Sequence, residues 1–93
     1  MITGIMKIEM FSRDTHSLKE KRRIVLSIKE KLKNRFNISI IESGHQDSWK
    51  KIELSVAMVS SSRPYVQKVF DQIDEFIFSN YPVEIFRTDI EFV

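Results

Sequence analysis

Along this 93-residue chain the apolar positions recur first at every second residue and then at helical spacing, and the alternation between the two periods predicts six elements. In residues 2–11, Met6, Ile8 and Met10 alternate with Ile5, Lys7, Glu9 and Phe11, the pattern of a strand with one apolar and one mixed face. Residues 12–16 are polar and read as a loop. From Ser17 the period lengthens: Leu18, Val25, Ile28, Leu32 and Phe36 share one helical face, with Ile24 at its edge. Ser17-Leu18-Lys19-Glu20 has the form of a capping box, in which the Ser17 hydroxyl accepts from the amide three residues on and Glu20 reaches back to the Ser17 amide. Lys31, Lys33 and Arg35 complement the negative end of the helix dipole. Residues 36–43 alternate again, Phe36, Ile38 and Ile40 against Asn37, Ser39 and Ile41. A polar hairpin loop at 44–49 carries the lone Trp, and residues 51–59 form the cleanest strand, with Ile52, Leu54, Val56 and Met58 inward. Ser60, Ser61 and Ser62 offer helix caps, Pro64 suits a first helical turn, and Val66, Val69, Phe70, Ile73, Phe76 and Ile77 mark the buried face of a second helix running to Tyr81. Pro82 stops it, and residues 83–93 form a last strand.

The order is βαββαβ. With right-handed crossovers it predicts an α+β, ferredoxin-like domain over residues 1–93, built as a four-stranded antiparallel sheet with both helices on one face.

Composition narrows the function classes. Apolar residues at 42% and charged residues at 30% are ordinary for a globular protein. Without Cys there is neither a disulfide framework nor a thiolate metal site. No apolar run approaches the length that spans a bilayer, so no membrane role is expected, and the first residues lack the order of a signal peptide, so the expected compartment is the cytoplasm. Net charge is only +2, but it is unevenly placed. Residues 13–35 hold nine of the fifteen basic residues and three acids, a net +6, which leaves −4 for the rest. Such asymmetry points to an anionic partner, against the plainer reading of a solvated Lys- and Arg-rich helix.

The candidate binding residues cluster accordingly. Lys19, Arg22, Lys29 and Lys33 share one helical flank with Leu26 among them, and Arg23 lies beside it, a stripe suited to phosphates. Lys21 instead projects toward the apolar sector, either snorkelling to water or aimed at an anion near the sheet end. His16 precedes the helix cap. His45 and Trp49 in the hairpin loop could contact a base or a protein partner, or Trp49 could fold back as a lid on the core. No catalytic residue is singled out: there is no nucleophile elbow, no paired acids and no Gly-rich phosphate loop, the glycines being only Gly4 and Gly44, so neither an enzyme nor a cofactor is expected. His16, His45 and Asp47 make a weak metal set. The open face of the sheet lacks the aromatic pair of an RNA-recognition motif, although Phe11 and Phe86 could face outward. Ile5, Phe11, Ala57, Val59 and Ile41 would leave apolar area on that face, and Phe78 falls on the polar side of helix two. These features predict self-association, with a homodimer as the expected form.

The run His16-Ser17-Leu18-Lys19-Glu20-Lys21-Arg22-Arg23 resembles the signature of the YlxP-like family of small bacterial proteins, a domain of unknown function. Asn34-Arg35-Phe36-Asn37, Glu42, the loop His45-Gln46-Asp47-Ser48-Trp49, and Leu54-Ser55-Val56-Ala57 with Val59-Ser60 extend the resemblance over nearly the whole chain. It implies a ferredoxin-like fold. Family members are often encoded near genes for transcription elongation, translation initiation and ribosome maturation, which implies a role linked to RNA or the ribosome. The expectation is a non-catalytic accessory factor that binds RNA or the ribosome through its basic helix. The alternative is a homodimeric protein-interaction module with no nucleic-acid role.

Overall fold

The computed structural model describes residues 1–93, in the element order β1 (Ile2–Ser12), α1 (Leu18–Arg35), β2 (Ser39–Gly44), β3 (Lys51–Ser60), α2 (Arg63–Asn80) and β4 (Val83–Phe92). The four strands form one antiparallel sheet in the order β2-β3-β1-β4, the ferredoxin-like arrangement that the alternation of periods predicts. Met6, Ile8 and Met10 of β1 and Ile52, Leu54, Val56 and Met58 of β3 point to one face. There they meet Val25, Ile28 and Leu32 of α1 and Val66, Val69, Phe70, Ile73 and Ile77 of α2 in one buried cluster. α1 lies over β2 at one edge of the sheet, whereas α2 covers β1, β3 and β4.

The glycine of β1 is a packing device. A Cβ at Gly4 would collide with Cγ1 of Val66 and stand 3.0 Å from the Phe70 ring, so the glycine lets α2 approach the sheet closely there.

One boundary differs from the sequence reading by more than a residue, and one cap differs in detail. β2 begins at Ser39, three residues later than the alternation of residues 36–43 predicts. Phe36 fits both the helical stripe and the strand pattern, and it serves as the hinge between them. Its N–H donates to the Leu32 carbonyl at 2.9 Å to cap α1, and its ring packs against the core. The capping box is also displaced by one residue. Ser17 Oγ accepts from the Glu20 amide as expected, but the Glu20 carboxylate accepts from the His16 amide at 2.6 Å rather than from Ser17.

Both edge strands carry a bulge at the same end of the sheet. The β1/β4 register shifts between Glu9 and Met10, leaving Phe86 as the extra residue, and the β2/β3 register shifts between Glu42 and Gly44, leaving Ser43 extra. Between the two bulges one row crosses the whole sheet: Gly44, Glu53, Glu9, Arg87.

On α2, Asp74 keeps one carboxylate oxygen buried without a hydrogen-bond partner. Burial, and next the neighbouring Asp71, push its pKa above the ordinary 3.8. A carboxyl whose folded pKa is raised costs stability while ionised, and the cost is relieved as pH falls through that raised value. Asp74→Asn should therefore raise the melting temperature at pH 7, with the advantage over the parent shrinking as the pH is lowered toward 3.8. Paired thermal melts across pH check this, and an equal gain at every pH would contradict it.

Candidate nucleic-acid interface

α1 is 18 residues long and amphipathic, so the residues that do not face the sheet must face water or a partner. Lys19, Arg22, Arg23 and Lys33 are exposed and Lys29 is half-buried, outside the buried face of α1. None of the five has a carboxylate within 4 Å, since every ion pair in the molecule lies elsewhere. Leu26, 52% exposed, sits in the same flank. The remaining cations of α1 turn the other way. Arg35 lies over the Phe76 ring at 4.6 Å and Lys31 over the Tyr81 ring at 5.8 Å, both on the side of α2. The eight basic residues of α1 thus divide by role, Lys21 turning to the core, and the solvent-facing stripe without an ion pair is the set Lys19, Arg22, Arg23, Lys29 and Lys33.

Lys21 follows neither course that its place on the helical wheel allows. It is fully buried. Its ammonium sits 2.9 Å from Glu42 Oε2 and donates to the His45 carbonyl at 2.6 Å. It neither snorkels to water nor can it reach a phosphate. The reason is the register of β2, which turns Glu42 to the helical face beside Leu54 and so places a carboxylate under the first turns of α1. Lys21 is therefore a structural tie, and its place in the run from His16 to Arg23 is explained by what it holds.

What it holds is the hairpin loop. Thr15 Oγ1 donates to the Trp49 carbonyl at 2.8 Å, and Lys50 Nζ returns to the Thr15 carbonyl at 2.9 Å. With Lys21 these bonds stitch the start of α1 to residues 45–50. Trp49 is 44% exposed, with the Lys50 ammonium 5.0 Å from its ring centroid, and it does not close over the core. His16 is exposed at the entrance to α1. His16 and Trp49 thus stand near the N-terminal end of α1, while its basic residues continue along the helix.

His45 does not join them. It is the one non-glycine residue with a positive φ, 56°, and its imidazole turns toward Glu9 and Glu53 on the open face of the sheet. His16 and Asp47, its companions in the sequence-based metal set, are not part of that group. Sequence reasoning missed Glu9 and Glu53 because each looks like an ordinary outward position of an alternating strand.

On the open face Ile5, Phe11, Ile41, Val59 and Phe86 are exposed as expected, while Ala57 is half-buried. Phe11 and Phe86 stack at 4.7 Å between centroids, because the bulge at Phe86 turns its ring onto the same side as Phe11. This pair lies on the face opposite α1. The basic flank and the aromatic pair therefore cannot act as one platform of the RNA-recognition type. Phe78 is 70% exposed on α2. No helix is long and apolar enough to cross a membrane.

A family model described as "Protein of unknown function (DUF503)" matches residues 3–90. "Uncharacterized protein YlxP" of Bacillus subtilis (strain 168) is 41% identical over 85 residues, which cover 91% of this chain and 90% of that protein. Among solved structures, the de novo designed protein Foldit4 aligns with a TM-score of 0.55 at 10% identity, covering 100% of this chain and 97% of the design. The de novo designed protein Ferredog-Diesel aligns at 0.52 and 15% identity, covering 96% and 83%. At such identities the two designs share the fold alone.

Proposed function

Given that the chain belongs to the DUF503 family of proteins of unknown function, we propose from its geometry that it is a non-catalytic accessory factor that binds RNA, free or in the ribosome, through the outer flank of α1. The observation that carries this reading is the unpaired stripe of Lys19, Arg22, Arg23, Lys29 and Lys33. The stripe gathers five of the chain's fifteen basic residues on one helix, where no carboxylate within 4 Å offsets them. From Lys19 to Lys33 the helix rises about 21 Å. That length can follow several consecutive backbone phosphates. Arg22 and Arg23 supply forked donors and the lysines point charges. Trp49 and His16 lie where a base at the end of the bound segment would stack or hydrogen-bond. Since no stacking platform shares this surface, affinity should come from charge and be nearly independent of sequence.

Binding of a single-stranded RNA, followed by fluorescence anisotropy, should weaken steeply with salt. Five neutralised phosphates correspond to a slope of log K against log salt of about −3.5. Arg22→Glu/Lys29→Glu/Lys33→Glu should lower affinity about 100-fold and flatten the slope to about −1.5. Cosedimentation with ribosomes should fail in the same variant. Unchanged affinity and an unchanged slope would defeat the proposal.

A second reading is self-association through the open face, favoured by the stacked Phe11–Phe86 pair with Ile5 and Val59 exposed on the same side. A homodimer formed there leaves the α1 flank free, so the two readings are compatible. Sedimentation equilibrium of Phe11→Ser/Phe86→Ser should show a monomer where the parent chain shows a dimer. A parent chain that stays monomeric at high micromolar concentration removes this reading.

A further inference from the structure

We propose that Glu9, His45 and Glu53 form a binding site for one divalent transition-metal ion on the open face of the sheet. One ligand atom from each side chain lies within 4.8 Å of the others. Two ligands on a tetrahedral ion at about 2.1 Å each stand about 3.4 Å apart, so side-chain movements of about 1 Å close the set. His45 Nε2 is already 3.8 Å from Glu9 Oε1.

The surroundings argue that this grouping is built. Glu9 and Glu53 are direct partners in the β1/β3 register, an arrangement in which like charges oppose each other across a pair of strands and cost stability. Their side chains are only 17% and 16% exposed. No hydrogen bond reaches the Glu9 carboxylate; the His45 imidazole stands 3.8 Å away, and Arg87, at 4.0 Å, is held by Asp89 at 2.8 Å. Lys7 stands 4.0 Å from Glu53, at the outer limit of an ion pair. An ion between the carboxylates neutralises them at bonding distance, which these long contacts do not.

Glu53 is also aimed from outside the group, as metal ligands are by their supporting hydrogen bonds, and the backbone of His45 is fixed. Ser43, the bulged residue of β2, donates its hydroxyl to Glu53 Oε2 at 2.8 Å and accepts from Ser55 Oγ at 2.6 Å. Gly44 faces Glu53 across the ladder, and a Cβ there would come within 2.6 Å of Glu53 Oε2, so the carboxylate occupies space that only glycine leaves. The His45 backbone is held at φ 56° by Lys21 Nζ and by the Ser48 amide, both donating to its carbonyl. The two bulges bracket this row and no other.

One imidazole nitrogen and two carboxylate oxygens suit Zn²⁺ and its first-row neighbours, and as three protein ligands they leave a position open to water on the open face. The site is separate from the α1 flank and does not depend on RNA binding.

The test is isothermal titration calorimetry of the tag-free full chain with ZnCl₂, beside thermal melts in excess Zn²⁺. The expected result is one ion per chain and a raised melting temperature. His45→Asn preserves the left-handed backbone, because Asn tolerates it, and should lower Zn²⁺ affinity at least about 10-fold, as should Glu9→Gln. His16→Asn should bind as the parent does. Absence of saturable one-to-one binding up to about 1 mM, where only weak, non-specific association remains, overturns the site, as does His45→Asn with unchanged affinity.

Discussion

Lys21→Met should lower the stability of the chain by about 3 kcal/mol, although it replaces a charged side chain by an apolar one of similar length at a fully buried position. The cost arises at the partner. Glu42 faces the helical layer with a side chain only 16% exposed, and without the ammonium at 2.9 Å its carboxylate is left in poor solvent. The His45 carbonyl also loses a donor. The pair together contributes much less than either deletion suggests, because ionic attraction in the interior is spent largely on desolvation. Lys21→Met/Glu42→Leu should therefore recover most of the loss. Urea midpoints of the two single variants and the double variant decide this by a double-mutant cycle. A double variant as unstable as Lys21→Met would mean that the loop tie, not the charge, carries the cost.

Gly4→Val should cost about 3 kcal/mol by overpacking, at the upper end of what added methyl groups do in a close-packed core. The residue is buried and its φ is ordinary, so the constraint is space. Val66 and Phe70, which a Cβ would meet, are themselves fully buried and have nowhere to retreat. Val66→Ala should therefore lessen the cost of Gly4→Ala, a non-additive rescue readable in melting temperatures. Additive losses would show that α2 shifts as a body to make room.

The fold was legible because the chain changes period cleanly at each boundary: Met6, Ile8 and Met10 could not serve a helix, nor Val25, Ile28 and Leu32 a strand. Legibility failed where one residue satisfied both periods, as at Phe36, and where the outcome depended on register. The helical wheel placed Lys21 near the apolar sector, but only the pairing of Glu42 with Leu54 brings a carboxylate to it. The group of Glu9, His45 and Glu53 draws on three strands' ends and two bulges, and no local spacing encodes a bulge. The basic flank of α1 was readable in advance because it is local, a matter of which residues lie on which side of one helix.

The strand order has a consequence for how the chain meets a polyanion. α1 and its unpaired cations stand above β2, at one edge, while Glu84, Asp89 and Glu91 lie on β4 at the other, with Arg87 alone to offset them. The molecule is thus an electric dipole lying across its own sheet. In the field of a polyanion it experiences a torque before contact, turning the β2 edge inward and the β4 edge away. If the proposed capture by the α1 flank holds, it comes with a fixed orientation, and the face bearing Phe11, Phe86 and the Glu9–Glu53 row is left turned outward.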